Sequence, residues 1–413
     1  MINIHKQTLP NGLTVVHYED KNTHMAALNL LYKVGARDEH PEHTGFAHLF
    51  EHLMFGGSIN IPNYDTPLQN AGGENNAWTN NDITNYYLTL PAHNLELAFW
   101  LESDRMLSLN FNAKSLDVQR QVVIEEFKQR NLNQPYGDAS HLVRSLAYKI
   151  HPYQWPTIGK DISHIANATL EDVEDFFFHY YAPNNAILAV TGNVSFAETM
   201  RLAEKWFGPI PSRNVPERCL PQEPRQTEAR KLEVTRPVPL DALYLCFHMC
   251  DRLHPDYYAF DMLSDILSNG KSSRLIRKLV IERRICSSID AYISGSLDAG
   301  LFHIVGKPAS GFTLQDVEKA IWEELESLKT TPTDEHELEK VKNRYESEQI
   351  FSNINYLNVA TNLAYFEMIS RAEDINDEVR KYRNVTTKQL QRVAQETFIP
   401  ENSCTLYYKA QSK

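Results

Sequence analysis

The sequence predicts an α+β protein of two homologous domains, each a mostly antiparallel sheet with helices packed on one side. Three observations carry that expectation. First, at roughly 100 to 200 residues per domain, a chain of 413 residues holds two or three domains. Second, the chain repeats itself. "TLEDVEDFFFHYYAPNNAILAV" (Thr169 to Val190) reads as an amphipathic helix, a proline stop and a strand, and "TTKQLQRVAQETFIPENSCTLYY" (Thr386 to Tyr408) follows the same plan. Thr169 precedes Pro183 by the same 14 residues that separate Thr386 from Pro400, Tyr181 matches Phe398, and Asn185 matches Asn402. A second pair, "FAHLFEHLMFGG" (Phe46 to Gly57) and "AFDMLSDILSNG" (Ala259 to Gly270), keeps its apolar residues in register. Third, strand-like segments (Thr14 to Tyr18, Ala26 to Val34, Asn85 to Leu90, Ala186 to Thr191) do not alternate strictly with helices. That order suits segregated sheet and helix layers better than a doubly wound parallel sheet.

Between the two half-chains lies "GPIPSRNVPERCLPQEPRQTEARK" (Gly208 to Lys231), with five prolines and many charges, which reads as a solvated linker. The expected organisation is a first domain over 1–210, a linker over 211–232 and a homologous second domain over 233–413.

Composition narrows the function classes. With 42% apolar and 10% aromatic residues the chain can bury full-sized cores. The opening "MINIHKQTLPNG" has no apolar signal core and no run of 18 apolar residues follows, so a cytoplasmic protein with no membrane partner is expected. Five cysteines without C-x-x-C spacing indicate neither a disulfide framework nor a thiolate metal site. A net charge of −12 argues against nucleic acid as a partner and suits a basic or extended peptide.

Within "HTGFAHLFEHLMFGG" (His43 to Gly57), Phe46, Leu49, Phe50, Leu53 and Met54 follow i, i+3, i+4, i+7, i+8. The pattern predicts a helix capped by Thr44 and ended at Gly56 or Gly57. His48, Glu51 and His52, in the order H-x-x-E-H, fall on the face opposite that stripe. The helix alone leaves two readings open, a metal site or a solvated polar face. Two histidines one turn apart can both reach a zinc ion, while the glutamate between them points the same way and can take a proton from an attacking water. A catalytic zinc needs a third protein ligand. "LDVQRQVVIEEFKQR" (Leu116 to Arg130) offers one: on the helical wheel Glu126 lies about 60° from the buried Val123, whereas Glu125 lies roughly 160° away and points to water.

These residues resemble the inverzincins, the pitrilysin and mitochondrial processing peptidase family, whose H-x-x-E-H is inverted relative to thermolysin-like enzymes. The resemblance runs in order through "VGARDEHPEHTGFAHLFEHLMFGGS", "GGENNAWTNNDITNYY", "RQVVIEEF" and "YYAPNNAILAVTGNVS". It implies the metallohydrolase fold of the processing peptidases, zinc held by His48, His52 and Glu126, and Glu51 as general base. It also implies a substrate peptide lying extended against an edge strand near Asn76 and Ala77, gripped through backbone groups. The second half resembles the family's degenerate repeat, with Asp261, Ser264 and Asp265 in place of His48, Glu51 and His52, and no metal triad of its own.

The chain departs from the family pattern twice. Gln119 stands seven residues before Glu126, where many relatives carry a glutamate; it can hydrogen bond beside the site but brings no charge. Val280 and Ser287 stand where active relatives supply an arginine and a tyrosine to hold the substrate carbonyl, and Arg283, Arg284 and Tyr292 are nearby but off register. The resemblance therefore implies a heterodimer with a homologous subunit lacking H-x-x-E-H, with a homodimer as the second option. The expected function is a zinc-dependent endopeptidase acting on extended or unfolded peptides; the alternative is a non-catalytic peptide-binding or scaffold subunit of the same fold.

Overall fold

The run MAALNLLY forms the strand β3 (Met25–Tyr32), buried at seven of its eight positions, as a central strand covered on both faces must be. The computed structural model describes residues 1–411, so the last two residues of the expected second domain lie outside the described residues. Around β3 the first sheet gathers β1 (His5–Thr8), β2 (Thr14–Glu19), β4 (Glu74–Thr79), β5 (Thr84–Pro91) and β6 (Ala186–Gly192). Its order is β1-β2-β6-β3-β5-β4, antiparallel throughout except where β2 meets β6. The second sheet consists of β7 (Arg230–Arg236), β8 (Ala242–His248), β9 (Cys286–Ile293), β10 (Leu301–Pro308) and β11 (Ser403–Ala410). Its order, β7-β11-β8-β10-β9, again has one parallel pair, β7 with β11.

The two orders match strand for strand once β1 is set aside. The repeat read from the sequence is thus a repeat of topology. Thr169 and Thr386 both cap their helices (Leu170–Tyr180 and Thr387–Thr397), and Pro183 and Pro400 both open the short turn that leads into β6 and β11. Helices cover one face of each sheet, as the fold class requires, and each sheet carries one further helix on its other face.

Those further helices correct the expected boundaries of 1–210, 211–232 and 233–413. The chain forms one compact unit from Met1–Lys128, Trp155–Leu220 and Ile350–Asp377, and a second from Gln129–Gln154, Pro221–Gln349 and the residues from Glu378 onward. The physical reason is the second apolar face of each sheet. In the first unit, Val359, Ala360, Leu363 and Ala364 of the helix Tyr356–Ile369 pack on Val16, Ala27, Leu31, Ile187 and Ala189. In the second, Ala139, Val143 and Ala147 of the helix Ala139–Ala147 pack on Ala242, Cys246, Cys404 and Leu406. Burying a Val or Leu side chain contributes about 1.5–3 kcal/mol, enough to make a segment belong where its apolar stripe is covered and not where chain order would put it.

The proline-rich stretch also differs from a solvated linker. Residues 230–232 already belong to β7, and the segment before them is irregular but tied down. Within the first unit, Arg213 donates to the carbonyls of Phe177 and Tyr181 and stacks over Phe177, 4.5 Å from the ring centre, while Arg218 pairs with Asp38. Within the second, Glu223 accepts three backbone N–H groups, from Lys149, Ile150 and His151.

Candidate metal centre

The helix Phe46–Leu53 buries Phe46, Ala47, Leu49, Phe50 and Leu53 in the core of the first unit. Its start is not capped by Thr44, contrary to the sequence expectation. The preceding residue is Gly45 at φ +90°, a left-handed conformation that L side chains rarely adopt, and a Cβ there would lie 2.9 Å from the carbonyl oxygen of Ile158. The first N–H groups go instead to Glu39, whose two carboxylate oxygens accept from Gly45 (2.9 Å) and Ala47 (2.8 Å). Burial pushes the Glu39 carboxyl up to about 8, against the pull of those two donors. Thr44 turns elsewhere, its Oγ1 accepting from the backbone N–H of Lys160 and pairing with Nδ1 of His164. Beyond the helix, Gly57 at φ +93° makes the turn, where a Cβ would meet the Pro62 carbonyl oxygen at 2.7 Å.

The second element is the helix Ala113–Phe127, capped by Asn112, whose side chain accepts from the N–H of Ser115. It buries Leu116, Val123 and Phe127. Glu126 is half-buried, whereas Glu125 is exposed and pairs with Lys128 at 2.6 Å, which is the split the helical wheel anticipates. Gln119 lies about two turns before Glu126 on the same helix and is half-buried.

The polar face of the first helix does not look into open water. His48 is buried, and its Nε2 lies 3.6 Å from Oε2 of Glu126, with Nε2 of His52 at 3.3 Å from the same oxygen. The two imidazole rings are perpendicular, their centres 4.9 Å apart. One ligand atom from each of the three residues lies within 4.8 Å of the other two, and this is the one such His/Cys/Asp/Glu group among the described residues. The spacing suits a shared ion. Separations of 3.3 and 3.6 Å are longer than the roughly 2.7–3.2 Å of good N–H···O bonds. Ligands at about 2.0–2.1 Å from a tetrahedral zinc stand about 3.3 Å apart. The donor set of two imidazole nitrogens and one carboxylate oxygen is also a zinc set, and it leaves a fourth tetrahedral position to a non-protein ligand. The residues present therefore fit the ion.

Glu51 projects from the same helix, and its Oε2 accepts a hydrogen bond from the hydroxyl of Thr79 at 2.5 Å. Thr79 is the last residue of β4, the edge strand of the first sheet, which among the described residues pairs with β5 alone. Asn76 and Ala77 lie on that strand, Asn76 exposed and Ala77 half-buried, and Oδ1 of Asn76 accepts from the N–H of Ala77 at 2.8 Å. The same unit holds a buried pair, Glu102 with Arg105, whose guanidinium stacks over Tyr64 and Tyr86 at 4.6 and 4.4 Å from the ring centres while Tyr64 donates to Glu102.

The sequence reading missed Thr79 and Glu39. Thr79 stands three residues after Asn76 in the quoted "NNAWT" and carried no signal of its own. Glu39 is seven residues before the helix start, too far for a capping pattern to reveal. In the second unit Val280 packs against the core, the hydroxyl of Ser287 donates to the carbonyl of Lys307, Arg283 pairs with Glu323, and Tyr292 stacks on His303.

Comparison with known proteins divides the chain by sequence order. Residues 14–161 match the model of the insulinase family, peptidase family M16, and residues 167–345 match that of the peptidase M16 inactive domain. The chain is 32% identical over 410 residues to the zinc protease PqqE of Helicobacter pylori, covering 97% of this chain and 92% of that one. It is 25% identical to the uncharacterized zinc protease YmxG of Bacillus subtilis, covering 84% of each. A crystal structure of a protease from Helicobacter pylori superposes with a TM-score of 0.93 at 31% identity, covering 99% of this chain and 100% of that one. At the level of fold alone, the periplasmic protease PqqL of Escherichia coli superposes with a TM-score of 0.79 at 18% identity, and 98% of this chain covers 47% of that longer one. Among the described residues no helix is long and apolar enough to cross a membrane.

Proposed function

The chain belongs to the insulinase family, peptidase family M16, and from that membership and the site geometry we propose that it is a zinc-dependent endopeptidase acting on extended or unfolded peptides. The observation that carries the reading is the convergence of His48, His52 and Glu126 within ligand distance of one another, with Glu51 on the same helix and bonded to the edge strand. Bound by those three side chains, zinc supplies Lewis-acid polarisation of a carbonyl and makes a water molecule more acidic. The carboxylate of Glu51 takes the proton of the attacking water and passes it to the leaving amine, as a general base that then acts as general acid. The outer edge of β4 at Asn76 and Ala77 grips the peptide through main-chain hydrogen bonds, for which an unfolded or extended segment is required.

The match named an inactive domain supports the alternative of a non-catalytic subunit less than its name suggests. It spans residues 167–345, outside all four residues of the cluster and base, which fall within the other match at 14–161. What the second half lacks is a donor for the substrate carbonyl. Val280 and Ser287 offer neither a guanidinium nor a phenol, and one missing donor of this kind costs about 10²- to 10³-fold in rate. We therefore read the working form as a dimer with a homologous subunit that lacks H-x-x-E-H and carries the arginine and tyrosine.

The test is metal analysis of the pure protein together with a quenched-fluorescence peptide assay, alone and with such a subunit. One zinc per chain, and hydrolysis that Glu51→Gln abolishes while retaining the metal, is the expected result. A protein that binds no zinc, or a Glu51→Gln protein that cleaves at the normal rate, overturns the reading.

A further inference from the structure

Resting on the peptidase reading above, we propose that Thr79 is a positioning residue for the general base: it ties the Glu51 carboxylate to the strand that receives the substrate. The hydrogen bond has one direction, because an ionised carboxylate only accepts, so the Thr79 hydroxyl donates to Oε2 of Glu51. Its length is 2.5 Å.

A glutamate has three rotatable side-chain bonds, and a base works only within hydrogen-bond reach of the proton it takes. Holding one oxygen from β4 fixes where the carboxylate stands. The helix positions Glu51 at its Cα, and Thr79 adds a hold on one oxygen of the reacting end. Because Thr79 closes the edge strand that carries Asn76 and Ala77, one rigid element sets the register of the peptide and the place of the base. Placement on a strand holds such a constellation more tightly than placement on a loop. The hydroxyl touches neither the ligand atoms of the cluster nor, on this reading, the peptide, so its loss falls on kcat and not on metal or substrate binding.

The experiment compares Thr79→Val, which keeps the shape and removes the donor, with Thr79→Ser, which keeps the donor. In the zinc-loaded protein, Thr79→Val is expected to lower kcat about 10- to 100-fold, the effect of one hydrogen bond to a charged group. KM and zinc per chain stay at wild-type values, and Thr79→Ser recovers most of the rate. An activity-independent readout accompanies it: in crystals of metal-free Thr79→Val the Glu51 carboxylate is expected to leave its wild-type position. Wild-type kcat in Thr79→Val, a Thr79→Ser protein as slow as Thr79→Val, or an unmoved Glu51 overturns the assignment. If the wild-type protein cleaves no peptide, the peptidase reading fails, and the position of Glu51 in the two crystal forms still decides the role of Thr79.

Discussion

The helices Phe46–Leu53 and Tyr257–Ser268 occupy the same place in two copies of one topology, yet their polar faces do different things. In the first, His48 and His52 turn toward one oxygen of Glu126, and Glu51 accepts from Thr79. In the second, the matching positions carry two carboxylates and a hydroxyl and no imidazole. Tyr382 donates to Asp261 at 2.5 Å, Ser264 donates to the backbone carbonyl of Asp261 at 2.8 Å, and Asn269 donates to Asp265 at 2.6 Å. Each unit also holds a buried arginine–glutamate pair flanked by tyrosines, on different elements. Arg105 joins Glu102 beside Tyr64 and Tyr86, and Arg252 joins Glu378 beside Tyr257 and Tyr258. One topology thus carries a pair of imidazoles facing a carboxylate in one copy and none at the matching positions in the other, which is how function sits on a scaffold without being dictated by it.

The sharpest way to break this comparison is to exchange the treatment of the two faces. His52→Ala is expected to abolish zinc binding and with it all peptide hydrolysis, whereas Asp265→Ala leaves one zinc per chain. Metal analysis after dialysis checks both, and retention of zinc by His52→Ala refutes the ligand set. Glu126→Ala should behave as His52→Ala does and Glu125→Ala as wild type; the reverse outcome would show that the wrong carboxylate was chosen. Next in size, Glu51→Gln is expected to retain zinc and lower kcat by at least the 10²- to 10⁴-fold typical of acid-base catalysis, while Ser264→Ala leaves the rate unchanged.

The buried pairs sharpen the comparison from the side of stability. Arg105→Met leaves Glu102 buried with the Tyr64 hydroxyl in place of a cation, at a cost of about 3–5 kcal/mol. Arg252→Met leaves Glu378 beside Lys381 at 3.5 Å and is expected to cost less. Denaturant titration checks both, and an equal or larger loss in Arg252→Met would show that Lys381 does not take over the pairing.

The smallest expected difference lies in the pH dependence of stability. Burial raises the Glu39 carboxyl from 4.5 to about 8 and the Asp261 carboxyl from 3.8 to about 6. A carboxyl whose pKa is higher folded than unfolded holds its proton more tightly in the native state. Its contribution falls as pH rises between the two values and is constant on either side. Melting curves across pH should therefore lose a slope between about 4 and 6 in Asp261→Asn, and a slope reaching to about 8 in Glu39→Gln. Unchanged slopes in both variants would show that other groups set the pH profile.

The sequence by itself determined what depends on local pattern. The period of Phe46, Leu49, Phe50 and Leu53 sets which face of the helix is buried, and the same reasoning separates Glu126 from Glu125, since a helix presents its side chains at fixed angles whatever surrounds it. The matched caps at Thr169 and Thr386 and the prolines at Pro183 and Pro400 marked the repeat, because capping and chain stops act within a few residues. Tertiary structure alone decided the rest. Nothing local in Val359 or Val143 says which sheet will cover it, since the hydrophobic effect has no direction and rewards any apolar face that is open. That is why the expected boundary near 210–232 missed the exchange of segments 129–154 and 350–377. Thr44 has the sequence of a cap, but Glu39 reaches the helix N–H groups through the folded chain and displaces it. Thr79 and Glu51 are 28 residues apart, and only the packing of a helix against an edge strand brings a hydroxyl to a carboxylate across that distance.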